Sequence, residues 1–270
     1  MIGWYVLFGL VALVGLGWLG LQVQPAAFAS YSAVAAPIAT VPLPAGLPTP
    51  VERYYRQIYG EQIPIITSAV ITGRAMIGPV PGLPKFPARF RFIHQAGQNY
   101  RHYIEATWFG FPIMRVNEMY VDGKSLQELP WAKVENDPTA NQAANLGMWS
   151  ETIWFSAVFL TDSRVKWSPV DDQTAILQVP FEDGSERYVV RFDPDSGLLL
   201  WLESMRYKGD TGKKVLWLNE SLEYKPLGVY LVPTVGAATW TDDGKPWAVF
   251  TVEEIIYNTD VSQYVRFKGL

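Results

Sequence analysis

The chain has only two histidines, His94 and His102, on either side of the turn-like stretch Ala96-Gly97-Gln98-Asn99. Two imidazoles on one hairpin are a starting point for a metal site, which needs at least a third ligand. A two-residue loop would put them on opposite faces, and only a one-residue slip would bring them together. No further ligand stands at a recognisable spacing, so neither a metal nor any other cofactor is expected. Cysteine is absent, which removes thiolate catalysis, disulfides and Cys-based metal centres. No Gly-x-Ser-x-Gly or phosphate-cradling glycine motif occurs either.

Carboxylates adjoin one another at Asp171-Asp172, Asp242-Asp243 and Glu253-Glu254. The first two pairs lie in turn-rich sequence, where Asp bonds to its own backbone. Glu253 and Glu254 fall in a strand and must face opposite sides. An inward one then needs a partner, for which Arg191 or Arg206 is available, and an ion pair explains it better than a catalytic acid. The chain is therefore expected not to be an enzyme.

What remains is aromatic. The segment "MWSETIWFSAVFL", residues 148–160, is apolar nearly all round when laid on a helix, and is short for a membrane span. Trp149, Trp154, Phe155 and Phe159 from this segment, with Trp201 and Trp217, either fill a core or line an apolar ligand pocket. Glu151, on the same segment, and Arg53 are the polar candidates for a pocket mouth or helix surface.

These side chains need a frame. Runs rich in Val, Ile, Tyr, Phe and Trp alternate with turn chemistry at Asp122-Gly123, Asp183-Gly184, Asp193-Pro194-Asp195-Ser196-Gly197, Gly209-Asp210-Thr211-Gly212 and Asp243-Gly244. Strands are expected near 64–77, 88–96, 99–108, 112–122, 174–181, 186–193, 197–207, 214–224, 228–235 and 247–257. Short loops make them an antiparallel meander. Helices are expected near 50–59, with Thr49 as N-cap, Pro50 in the first turn and Gly60 at the end, and near 139–161. In "GLLLWLES" Leu198, Leu200 and Leu202 point one way, Leu199 and Trp201 the other, so both faces are covered or the sheet curls. The fold class is α+β, mainly β: a curved antiparallel sheet or half-barrel over residues 49–270, wrapping the inserted aromatic helix.

Nothing before Glu52 carries a side-chain charge. Ile2 to Leu21 is an unbroken apolar run of about the 20 residues that a membrane helix needs, with Trp4, Tyr5 and Trp18 near its ends. Residues 1–24 are read as a single-pass anchor rather than a cleaved signal, for which Ala27-Phe28-Ala29 offers a site but no basic region exists. Residues 25–48 form a Pro/Ala-rich linker, whose extended reach is on the order of 70 Å at ~3.1 Å per residue. A net charge of −4 makes nucleic acid an unlikely fit as a partner.

Several segments resemble an uncharacterised bacterial family of membrane-anchored domains of unknown function. They are Leu47-Pro48-x-Pro50-Val51-x-Arg53-Tyr54, Trp108-Phe109, Glu151-x-x-Trp154-Phe155-x-x-Val158, Trp167 with Asp171-Asp172, Arg191-Phe192-Asp193, and Gly228-Val229-x-x-Val232-Pro233-Thr234 with Trp240. Ser156 departs from a pattern with proline after Trp-Phe, which implies a helix running on without a break. In layout the chain is also distantly similar to the lipoprotein-carrier fold, whose curved sheet holds acyl chains. That resemblance implies a non-catalytic, extracytoplasmic domain at the cell membrane that binds a lipid or other apolar ligand. The alternative is an envelope scaffold or sensor with a filled core, acting through another envelope protein.

Overall fold

The computed structural model describes residues 2–32, 37–78, 84–130, 132–209 and 211–267. Met1 of the anchor, residues 33–36 of the linker and Asp210 of one expected turn lie outside them. The apolar run forms α1 (Ile2–Gln22), with Trp4–Gln22 long and apolar enough to cross a membrane and almost wholly exposed. The linker then supplies a short strand, β1 (Thr40–Pro42), before α2 (Thr49–Tyr59) and β2 (Gln62–Pro64), which pairs with β1. Pro48 occupies the N-cap of α2 in place of Thr49 and makes no side-chain cap, while Gly60 ends the helix at φ +74°.

Asp122 and Gly123 both adopt positive φ, the backbone of a two-residue hairpin turn. Two-residue turns of this kind join β5 to β6 and β6 to β7 in the run β3 (Ser68–Ile77), β4 (Phe86–Gln95), β5 (Asn99–Trp108), β6 (Phe111–Val121), β7 (Lys124–Leu129) and β8 (Ala132–Glu135). After the helical insert come β9 (Lys166–Pro169), β10 (Thr174–Phe181), β11 (Gly184–Phe192), β12 (Leu199–Tyr207), β13 (Lys214–Leu227), β14 (Tyr230–Trp240) and β15 (Lys245–Tyr257). All pair antiparallel in one curved, open sheet of 13 strands, in the order 8-7-6-5-4-3-15-14-13-12-11-10-9. The two runs join where β3 meets β15. The expected strands are present; β7, β8 and β9 are additional in this sheet, as are β1 and β2 outside it. β8 and β9 are its edges, β7 lies next to β8, and all three are short and polar, without the apolar alternation that marks a strand.

Edge strands β8 and β9 are joined by the insert, which crosses the concave face and touches β6, β7, β10, β12 and β14. It begins as α3 (Pro138–Glu151), capped by the Asp137 carboxylate on the Thr139 and Ala140 amides. Contrary to the run-on helix implied by Ser156, it breaks after Glu151 into a 3-10 turn over Thr152–Phe155, and resumes as α4 (Val158–Thr161). Ser150 and Thr152 hydroxyls bond back to the carbonyls of Gly147 and Met148, a pattern that bends helices. From outside, Tyr55 donates to the Ser156 carbonyl (2.8 Å) and Tyr59 receives the Ala157 amide (3.4 Å). The buried face of α2, Val51, Tyr54, Tyr55 and Ile58, is thus docked on the break.

Strand faces differ from expectation at β12. A bulge opposite Arg191–Phe192 makes Leu199 pair with Phe192 and Trp201 with Arg191. Leu199 and Leu202 therefore both enter the core, whereas strict alternation would separate them. The outer face of β3–β5 is covered too. Phe28 lies under Arg89 and beside Tyr103, Ala26 and Ala29 carbonyls accept from Arg89 and Arg91, and Val261 packs on Val70 and Ile93. Ala26, Phe28 and Ala29 of the Pro/Ala-rich segment thus touch the domain, as does β1 through β2. The hairpin tip between β5 and β6 also meets α1: Trp108 Nε1 donates to the Gly17 carbonyl and the Phe109 amide to that of Gly20. Only glycine fits at 20, since a Cβ there would overlap the Trp108 indole.

Removing the Tyr55 hydroxyl strands a buried carbonyl. Tyr55→Phe is expected to cost about 1–2 kcal/mol, read as a lower urea midpoint. Tyr54→Phe, whose contact to Ser156 Oγ is 3.4 Å, is expected to cost less. A Tyr55→Phe midpoint equal to that of the wild type would show that this contact does not hold the insert.

Candidate functional site

The β4–β5 hairpin turns through Ala96, Gly97 and Gln98, closing on the pair Gln95–Asn99, with Gly97 at φ +66°. With three loop residues rather than two, His94 pairs with Tyr100 and His102 with Phe92. Both imidazoles therefore lie on the concave face, which corrects the opposite faces expected from a two-residue loop. Their ring centroids are 6.0 Å apart. A Cβ on Gly97 would strike Asp162 and Trp149 of the insert region, so glycine here also lets the hairpin close on the helix.

The third group comes from the end of α3. Glu151 Oε2 lies 2.6 Å from His102 Nε2 and 3.1 Å from His94 Nε2. The second contact is out of line for a hydrogen bond, leaving both ring nitrogens of buried His94 without a hydrogen-bond partner among protein groups. His102 is held between Phe92 (3.9 Å) and Tyr100 (4.2 Å), and its other nitrogen, Nδ1, faces Glu118 Oε2 at 4.0 Å. Glu118 also accepts the Tyr100 hydroxyl at 2.6 Å. Burial pushes Glu151 up to about 7 and His102 down to about 4, and lowers His94. Two neutral imidazoles thus share a carboxyl that holds its proton close to neutrality. One donor atom from each of His94, His102 and Glu151 lies within 4.8 Å of the others, a set that can hold a metal ion.

His102, Glu151 and Glu118 form one wall of a cavity of about 70 Å³, whose other walls include Phe92, Trp154, Arg206, Trp217, Asn219, Gly236, Ala238, Trp247 and Phe250. Four N–H donors on these walls are buried and have no protein acceptor: Nε1 of Trp154, Trp217 and Trp247, and Nδ2 of Asn219. The Arg206 guanidinium sits 4.1 Å over the Trp217 ring and donates from Nε to the Ala143 carbonyl. The space is aromatic in body and rich in donors.

Of the residues singled out from sequence, Trp154, Trp217 and Glu151 meet at this cavity. Phe155 is fully buried against His94, and Trp149 and Phe159 stack on each other in the core. Trp201 lies on the other face, where it and Arg191 both donate to Glu203. Arg53 is elsewhere, packed on Gly197 at the β11–β12 turn. Neither Arg191 nor Arg206 pairs with Glu253 or Glu254: Glu253 meets Arg74, and Glu254 accepts from Ser30 and Thr72. Asp171 accepts from the Gln173 amide, as its turn context suggested, whereas the Asp242 and Asp243 carboxylates both accept from Lys208. Tyr100, Glu118, Arg206, Asn219 and Trp247 were not legible as site residues. For the histidines, Gly97 was the available signal, since a glycine at positive φ is compatible with a three-residue loop.

Fold and site together define an open antiparallel half-barrel closed on its concave side by a broken aromatic helix, with a buried His–Glu–His cluster at the break. The chain belongs to DUF6544, a family of unknown function, whose model matches residues 37–252. No curated protein matches it. Among solved structures, a LolA superfamily protein from Nitrosomonas europaea is similar at 11% identity and TM-score 0.46, over 74% of this chain and 89% of that one. A DUF1329 family protein from Desulfovibrio piger gives 13% and 0.43, over 73% and 88%. A putative outer membrane lipoprotein-sorting protein domain from Vibrio parahaemolyticus gives 13% and 0.41 over the same shares. Likenesses this distant carry no information on ligand or activity.

Glu151 and the histidines make opposite contributions to pH dependence. The raised Glu151 value favours the native state at low pH, and that stabilisation is lost as pH rises through about 7. The lowered histidine values favour it above their unfolded range, near 6.5, and that stabilisation is lost as pH falls. Between about pH 6 and about pH 8 the two oppose each other in the wild type. Glu151→Gln removes the carboxyl contribution, so the stability of the variant relative to wild type is expected to rise by about 1 kcal/mol over that interval. Thermal melts in chelator-containing buffer measure it; a difference that does not change with pH would mean Glu151 does not titrate this way.

Proposed function

We propose that the protein is a non-catalytic binding domain held at the cell membrane by α1, and that its ligand is amphipathic, with an acceptor-bearing end seated in the cavity beneath the broken helix. The observation that carries this reading is an aromatic-walled space among whose lining residues four carry buried N–H donors that no acceptor meets among the described residues. Buried donors cost about 1–3 kcal/mol each when unmet, and a carboxylate, ester or similar oxygen group meets them. Arg206 adds a cation to the same wall. Size restricts which end enters. About 70 Å³ is under half of the roughly 150 Å³ that accommodates benzene, so in this conformation a polar group fits and a hydrocarbon chain does not. A lipid chain would follow only by displacing Trp154 and the 3-10 turn.

Membrane location is supported by the length and apolarity of Trp4–Gln22 and by the hairpin tip at the end of α1. Phe111 and Ile113 project from that hairpin into solvent beside Trp108, where an interface would receive them. An extracytoplasmic side for the domain belongs to the same proposal. The small cavity also favours a second reading, a scaffold or sensor with a filled core that works through an envelope protein.

Native mass spectrometry of the full chain released from detergent micelles, followed by organic extraction, separates the two. The binding reading expects a co-purified amphipathic molecule on the wild type and its loss from Ala238→Leu, which fills the cavity. If wild type and variant carry the same masses, and added fatty acid or lysophospholipid leaves wild-type Trp emission unchanged, the filled-core reading stands instead.

A further inference from the structure

The cluster of His94, His102 and Glu151 has features that a chain of hydrogen bonds leaves unexplained. His94 is 1% exposed; its Nε2 stands 3.1 Å from Glu151 Oε2 without hydrogen-bond alignment, and Nδ1 has no hydrogen-bond partner among the described residues. An imidazole placed so deeply with both nitrogens unmet is costly unless something else engages it. Its Nε2 points to the same carboxylate oxygen as His102 Nε2, so three donors from three elements, β4, β5 and the end of α3, converge on one point. We propose that this point is a binding site for a single divalent transition-metal ion of the zinc class, ligated by His94, His102 and Glu151.

The donor set decides the class. Two imidazoles and one carboxylate suit Zn²⁺ and its first-row neighbours, whereas Mg²⁺ and Ca²⁺ take oxygen ligands. Bonds of about 2.0–2.1 Å to a tetrahedral ion set donors ~3.3 Å apart. The contacts of 2.6 and 3.1 Å are a little shorter than that spacing, and all three donor atoms lie within 4.8 Å of one another. Small side-chain rotations are enough to admit an ion.

The surroundings add a second, independent feature. Metal-bound histidines commonly present the far ring nitrogen to a carboxylate, which fixes ring orientation and raises basicity. Glu118 Oε2 stands 4.0 Å from His102 Nδ1, one small side-chain movement short of that place, and its carboxylate accepts the Tyr100 hydroxyl. His102 and Glu151 line the cavity while His94 lies behind them, so the open coordination position faces the cavity. The site does not depend on the amphipathic-ligand reading: Ala238→Leu fills the cavity and leaves all three ligands in place.

The test uses the full chain in detergent micelles, stripped with chelator and then given Zn²⁺ or Co²⁺ alone. Expected are one Zn²⁺ per chain after desalting, a Zn²⁺-dependent rise in melting temperature, and visible ligand-field bands from Co²⁺ of low coordination number. His94→Ala and His102→Ala should abolish all three, and Glu118→Gln should weaken Zn²⁺ affinity by about 10–100-fold. Wild-type protein that retains no zinc and shows no Co²⁺ bands overturns the proposal, whether or not the histidine variants fold. So does folded His94→Ala or His102→Ala protein that binds zinc as tightly as wild type.

Discussion

An open sheet of this width has a concave face that must be buried on something, and here the chain supplies it from between the sheet's own edges. Because β8 and β9 are joined through the insert, the segment that links the two edges also fills the hollow between them. Its rings are apolar all round because strands surround it on several sides, while α2 closes over the break. The curvature of the sheet, carried by bulges in β6, β12, β13, β14 and β15, is what brings β6 and β12 onto one helix.

Placing a polar cluster inside that packing has a price that apolar side chains would not incur. Glu151, His94 and His102 are desolvated together, and burial moves each toward its neutral form. The same break that ends α3 at Glu151 turns Trp154 toward Phe92 and Phe250 and Phe155 toward His94. One local irregularity therefore positions the carboxyl, one wall of the cavity and the ring that seals the histidines.

Most of the fold was legible because its signals are local. Asp122-Gly123 and the other turns punctuate strands whose residues alternate, and α2 shows its apolar face at i, i+3, i+4 and i+7 in Val51, Tyr54, Tyr55 and Ile58. The polar edge strands were not, since pairing at an edge leaves little hydrophobic pattern. The site was legible only in part. Glu151 stood out as a charge on a helix that should be buried, and Trp154 and Trp217 as two of six aromatic rings read as core or pocket lining. The histidines were misplaced by one loop residue, because face parity in a hairpin depends on whether the loop holds two residues or three.

Taken alone, the sequence determined a charge-free apolar N-terminal helix, an antiparallel meander and an aromatic insertion, because helix length, turn chemistry and alternation are properties of neighbouring residues. Only the tertiary structure decided that His94, His102 and Glu151 meet, that Trp201 faces away, and that Arg53 lies elsewhere. Those outcomes depend on bulges, loop parity and the docking of a broken helix across strands more than a hundred residues apart in the chain, such as β6 and β14. Each is set by long-range packing that no short window of sequence encodes.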